Sequence, residues 1–269
     1  MLFFMLFPPV HLLLLVQAKH FYSSTKPFLF FAAMLVIINI PHSNAYYIGG
    51  FNMFFKIREP VNTLTHLCGA ILSAAGLVWM LLKALRQPSP EYLISALVFG
   101  ASLILLYSAS TCYHWLKASS KTIKILRKID HSMIYVLIAG TYTPICILAL
   151  PRPLGLYLLA GIWILTLTGI ILKFAWLSAP RFIYTSFYLL LGWMALFFIR
   201  PIYRTLPLQG FALLLAGGLL YTAGAVIYAF KPARLHLSVF GFHEIFHLFI
   251  LGGSLSHFIM VSRYLLPAI

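Results

Sequence analysis

The chain has 269 residues, of which 62% are hydrophobic and only 9% are charged, with a mean hydropathy of +0.97. Soluble domains carry roughly 25% charged residues, so this composition excludes a soluble globular protein and points to a polytopic membrane protein. A formal net charge of +15 would suggest nucleic acid in a soluble chain. Here the bases cluster in short loops between apolar runs, so no nucleic acid is expected and membrane lipids, through their anionic headgroups, are the expected partners.

The first fifty residues differ in pattern from the remainder of the chain. Residues 1–16 are apolar but broken by Pro8-Pro9, and Lys19 to Lys26 is polar. Phe28 to Ile40 is apolar but shorter than the roughly 20 residues a spanning helix needs. Flanked by Lys26 and Ser43-Asn-Ala45, it resembles the apolar region and cleavage site of a signal peptide, although the long stretch before it argues against that. The simpler expectation is that Met53 opens the working protein and that residues 1–52 are an amino-terminal extension or a start-site artefact.

Residues 53–269 read as one all-α membrane domain. Seven apolar segments lie at about 64–85, 91–115, 129–150, 154–176, 180–200, 209–230 and 240–264, each near spanning length and most of them punctuated by proline or basic residues. With the Met53 side in the cytosol, the inside ends hold Lys56, Arg58, Lys117, Lys121, Lys124, Arg127, Lys128, Lys173, Arg181, Lys231 and Arg234. The outside ends hold Lys83, Arg86, Arg152, Arg200, Arg204 and Arg263. The inside set is the larger, which predicts a seven-helix bundle with its amino terminus inside and its carboxy terminus outside. Cys68, Cys112 and Cys146 fall inside apolar runs without metal or disulfide spacing and read as small buried hydrophobes.

The polar residues converge on one depth. Of only four acids, Glu59, Asp130 and Glu244 fall at the cytosolic ends of the first, third and seventh segments. His66, His131, His243 and His247 fall at the same ends, and His114 at the cytosolic end of the second segment. His243 and His247 stand four apart, so on a helix both leave one face about 6 Å apart along the axis. Ionisable side chains within spanning segments are costly and are functional by default.

Zinc favours imidazole nitrogen, and three protein ligands with an open fourth position form a catalytic site. His243 and His247 supply two ligands and His114 is the natural third. Ser110 precedes His114 by one helical turn and could orient a ligand, water or substrate. Asp130 could hold water and accept its proton.

Each residue also has a plainer reading. His243 and His247 could hydrogen-bond backbone or headgroups. His114, between Tyr113 and Trp115, could belong to an interfacial aromatic belt. Asp130 could be a helix N-cap, and Ser110 could bond within its own helix or ease helix packing. His66 shares a face with Asn62 and Glu59, either as a network supporting the ligands or as a polar helix start. His131 could face headgroups. His257 lies about 21 Å along the helix from His243 and cannot share its metal. The patch Gly252-Gly-Ser-x-Ser256 permits close helix packing.

Taken together, Glu59-x-x-Asn62-x-x-Thr65-His66, Ser110-x-x-x-His114, Asp130-His-Ser-x-Ile-Tyr with Ala139-Gly-Thr-Tyr-Thr-Pro144, and His243-x-x-x-His247 resemble the bacterial hemolysin III family. That family belongs to the progestin and adipoQ receptor superfamily, which includes the adiponectin receptors. The resemblance covers about residues 55–266. It implies a multi-pass protein of the bacterial plasma membrane, a seven-helix bundle with a cytosolic amino end, and an intramembrane zinc held by His114, His243 and His247. It also implies that Ser110 and Asp130 lie close to the metal and its water.

Three functions stand as alternatives. The first is a zinc-dependent hydrolase of a lipid amide or ester, in keeping with the ceramide hydrolysis associated with related receptors. The second is a cytolytic or pore-forming protein, as the family name suggests. The third is a non-catalytic sensor of membrane state with structural zinc.

Overall fold

The computed structural model describes residues 57–176, 178–232 and 241–266. The expected boundary at Met53 and the signal-like run before it lie outside the described residues. Among the described residues there is no strand, and seven helices are long and apolar enough to cross a bilayer. They are α1 (Pro60–Ala84), α2 (Pro90–Trp115), α3 (Ser120–Leu148), α4 (Leu154–Ala175), α5 (Arg181–Thr205), α6 (Leu208–Phe230) and α7 (Phe242–Leu265).

Most starts are written locally. Pro60 and Pro90 occupy the first turns of α1 and α2, where the missing N–H has no helical partner anyway. Pro153, Pro180 and Pro207 immediately precede α4, α5 and α6. Ser119 Oγ accepts the Thr122 N–H at 3.2 Å and caps α3. Glu244 Oε2 accepts the Gly241 N–H at 2.9 Å at the start of α7. α6 ends where Lys231 takes a left-handed conformation, φ 46°.

Two starts differ from the sequence reading. α1 begins at Pro60, so Asn62 lies within it. α3 begins at Ser120, nine residues before the expected 129, because the basic stretch from Lys121 to Lys128 is helical rather than loop. Hydropathy marks only the apolar part of a helix and is blind to polar turns that extend beyond it. Asp130 is therefore well inside α3 and is not an N-cap; that position belongs to Ser119.

Neighbouring helices pack in sequence order, and α7 closes the bundle against α1. α3 is the most buried of the seven. It lies close to α2 at Gly140, where an added Cβ would overlap the Ser102 side chain. Pro144 interrupts its backbone ladder, and nearby Thr141 and Thr143 donate to the Leu137 and Ala139 carbonyls at 2.8 and 2.9 Å. Tyr142 of α3 also reaches into α5. Its hydroxyl donates to the Gly192 carbonyl and accepts the Ala195 N–H, both at 2.7 Å, where α5 tightens into a 3₁₀ stretch over Met194–Phe198. The Gly252 to Ser256 patch does permit close packing, with Gly253 against the Tyr221 ring.

Several expected surface residues are internal. Lys83 is only 7% exposed, and its ammonium donates to the Ser262 and Leu266 carbonyls where α7 ends in a π turn. It satisfies carbonyls that have no helical donor instead of facing headgroups. Lys173 of α4 is 2% exposed and lies over the Tyr184 ring. The cysteines depart the other way: Cys146 is buried, but Cys68 is half-buried and Cys112 exposed. In a chain that crosses a membrane, an exposed thiol on a helix wall needs no protein neighbour.

Candidate functional site

The site forms where the start of α7 meets α1, α2 and α3. A short backbone pairing sets up its edge. Just before α1, the Arg58 and Glu59 N–H groups donate to the Trp115 and His114 carbonyls at 3.1 Å each. This satisfies carbonyls at the end of α2 and holds the Glu59 side chain beside the His114 ring. His114 Nδ1 lies 2.5 Å from Glu59 Oε2. Burial pushes the Glu59 carboxyl up, but the hydrogen bond from His114, with help from Arg58 and Asn62, outweighs it and holds the carboxyl below the usual carboxylate range. Glu59 is thus a carboxylate throughout the physiological range.

Asn62, one turn into α1, donates to Glu59 Oε2 at 3.2 Å and to Glu244 Oε1 at 2.8 Å. That amide links the starts of α1 and α7. Glu244, noted in the sequence only as one of three acids at a common depth, therefore belongs to the polar network around the histidines.

The three histidines singled out by spacing come together. His114, His243 and His247 each offer a ring nitrogen within 4.8 Å of the others, a set that could hold a metal ion. Their ring centroids are 4.6 to 5.1 Å apart. His114 and His247 are each 1% exposed, so neither belongs to an interfacial belt. Nε2 of His114 and Nε2 of His243 stand 3.3 Å apart. Two nitrogens about 2.0–2.1 Å from one tetrahedral zinc would stand about 3.3–3.4 Å apart, so this spacing fits the ion. The Glu59 carboxylate on His114 Nδ1 fits as well, because it leaves Nε2 free as a lone-pair donor toward the other histidines.

His66 completes the cluster without joining it. Its ring stacks on His247 at 3.6 Å with an interplanar angle of 10° and meets Tyr107 edge-on at 5.1 Å. Both of its ring nitrogens are buried with no hydrogen-bond partner among the described residues. It backs the His247 ring and fixes that ring's plane.

A cavity of about 160 Å³ opens from the histidines into the bundle. His66, Ser110, Asp130, His131, His243 and His247 line it at the histidine end, and apolar and aromatic residues such as Leu106, Leu137, Ile138 and Phe246 line the rest. Ser110 and Asp130 line the same wall of the cavity, and the serine hydroxyl interacts with the carboxylate. His131 lines the cavity edge-on to Tyr228 and does not face outward. His257, far along α7, also reaches the cavity and lies 3.1 Å from the Leu214 carbonyl through Nε2. Sequence reasoning missed the cationic wall of this cavity, formed by Arg127, Lys173 and Arg181. The available signal was Lys173, a lone cation within an apolar run.

The profile of the family described as "Haemolysin-III related" matches residues 54–258. The chain belongs to the hemolysin III family. Hemolysin-3 of Bacillus cereus is 40% identical over 215 residues, covering 79% of this chain and 94% of the relative. The Hemolysin-3 homolog of Bacillus subtilis (strain 168) is 40% identical over 211 residues, covering 78% and 96%. With its seven long apolar helices, this hemolysin III family member is a multi-pass integral membrane protein, and its relatives place it in the bacterial plasma membrane.

Proposed function

We propose that this hemolysin III protein is a zinc-dependent hydrolase of a lipid amide or ester, with the amino end of the bundle in the cytosol. The observation that carries the reading is the juxtaposition of the three-histidine cluster with a buried carboxylate and serine at the head of an apolar cavity. A structural zinc has four protein ligands, whereas this cluster offers three and opens onto the cavity, as a hydrolytic site must. The excess of lysine and arginine at the histidine end supports the orientation.

His114, His243 and His247 would hold the ion. Zinc, when bound, supplies a Lewis acid that polarises a carbonyl oxygen and makes water more acidic. The chain's own residues do the rest. Glu59 orients His114 through Nδ1, and Asn62 holds Glu59 while bridging it to Glu244. Asp130 takes the proton from the attacking water and returns it to the leaving amine or alcohol, with Ser110 fixing the carboxylate's position. The apolar wall receives the acyl chain and excludes bulk water from the reacting bond.

Elemental analysis of detergent-purified protein tests the reading first, and acyl-chain release from lipid amides and esters tests it next. One zinc per chain with chelator-sensitive release is expected. A folded protein that takes up no zinc when the metal is supplied during growth would sink it. Glu59→Gln is expected to weaken zinc about 10- to 100-fold, the usual consequence of losing a carboxylate partner to a metal-bound histidine. Competition with a zinc-selective dye measures this, and unchanged affinity would remove Glu59 from the site.

A cytolytic reading rests on the relatives' names. It predicts ion leakage from liposomes that is indifferent to Asp130→Asn.

A further inference from the structure

The cavity carries an imbalance of charge that hydrolysis does not use. Arg127 of α3, Lys173 of α4 and Arg181 at the start of α5 all line it, and Asp130 is the one acidic residue among its lining residues. Asp130 shares this wall with Arg127 and Lys173 and feels both electrostatically.

The immediate partners of Lys173 and Arg181 leave their charge in place. The Lys173 ammonium lies 3.5 Å from the centroid of the Tyr184 ring, and the Arg181 guanidinium lies 4.9 Å from that of Tyr228. An aromatic face attracts a cation through its quadrupole but accepts no classical N–H hydrogen bond and cancels no formal charge. Arg181 Nη1 is buried with no hydrogen-bond partner among the described residues. Basic residues at helix ends ordinarily serve the surrounding headgroups, and that would suffice for Arg127 and Arg181 alone. It does not suffice for Lys173, which at 2% exposed is walled off from the bilayer surface and turned to the cavity. Three cations against one carboxylate in a low-dielectric wall leave an uncompensated charge that is costly, and an anion that enters the cavity relieves that cost.

We propose that Arg127, Lys173 and Arg181 bind the phosphate of a lipid headgroup, so that the lipid taken into this cavity is a phosphate-bearing one. Two guanidinium forks and an ammonium suit the several acceptor oxygens of a phosphate. The acyl chain then runs along the apolar wall, and the bond joining it to the headgroup lies beside the histidines and Asp130. As a statement about substrate this rests on the hydrolase reading; as a statement about binding it does not.

The test is equilibrium binding of an ether-linked dialkyl phosphatidic acid, of the matching dialkylglycerol and of inorganic phosphate to detergent-purified protein. Wild type is compared with Lys173→Met and Arg181→Gln. The phosphate lipid should bind wild type about tenfold or more tightly than the neutral lipid, the size of one charge-assisted hydrogen bond. Each variant should lose most of that preference while binding the neutral lipid as before. Equal affinity of wild type for the two lipids overturns the proposal, as does a preference that persists in both variants. Inorganic phosphate binding as tightly as the lipid would show an anion site unconnected with lipid and overturn it too. If Lys173→Met does not fold, Arg181→Gln decides alone. Because ether lipids cannot be cleaved, a phosphate preference without hydrolysis of any ester or amide would sink the hydrolase reading and leave this site standing.

Discussion

Asp130→Asn is expected to lower lipid hydrolysis by about 10²- to 10⁴-fold, the contribution general acid–base catalysis makes. The amide keeps the shape of the carboxylate and can still hydrogen-bond Ser110, but it cannot take a proton from water. Zinc content and thermal stability should stay at the wild-type level, because the cluster that could hold the ion is His114, His243 and His247. Turnover, elemental analysis and a thermal melt on one preparation check all three points. Unchanged turnover would remove Asp130 from the chemistry and favour a zinc that only braces the bundle. Loss of zinc would make Asp130 a ligand.

His247→Ala should bring zinc close to background and lower the melting temperature in zinc-containing buffer. Two losses combine. The variant removes one of three imidazoles from the cluster, and it removes a buried ring that stacks on His66. A ligand present at about 1,000 times its Kd stabilises the folded state by about 4 kcal/mol, and that contribution disappears with the metal. A chelator should therefore lower the melting temperature of wild type and leave that of His247→Ala nearly unchanged. If chelation shifts the two proteins equally, the stabilising metal is bound elsewhere.

Much of this molecule is legible residue by residue. Spanning helices are read from local composition, and six of the seven starts lie within four residues of the expected positions. α3 is the exception, since its first turns from Ser120 are basic and polar and carry no apolar signal. The histidine cluster was legible for a related reason. A bilayer-spanning chain holds few ionisable residues, so five histidines and three acids at one depth stand out against the background. The spacing of His243 and His247 then places both on one helix face.

What the sequence determined by itself is the membrane class, the number of spans, the family resemblance and the identity of the three histidines. All of these come from local periodicity, from composition or from motifs in order along the chain. Which polar groups meet depends on packing. Lys83 and Lys173 look alike in sequence, each a cation near the end of an apolar run. Packing sends the first to the carbonyls ending α7 and the second into the cavity wall. Asn62 bridges Glu59 to Glu244 across 182 positions of sequence, and His66 lies flat on His247. Such pairings depend on how each helix is rotated and how deep it sits against its neighbours, and side chains far apart in the chain set that jointly.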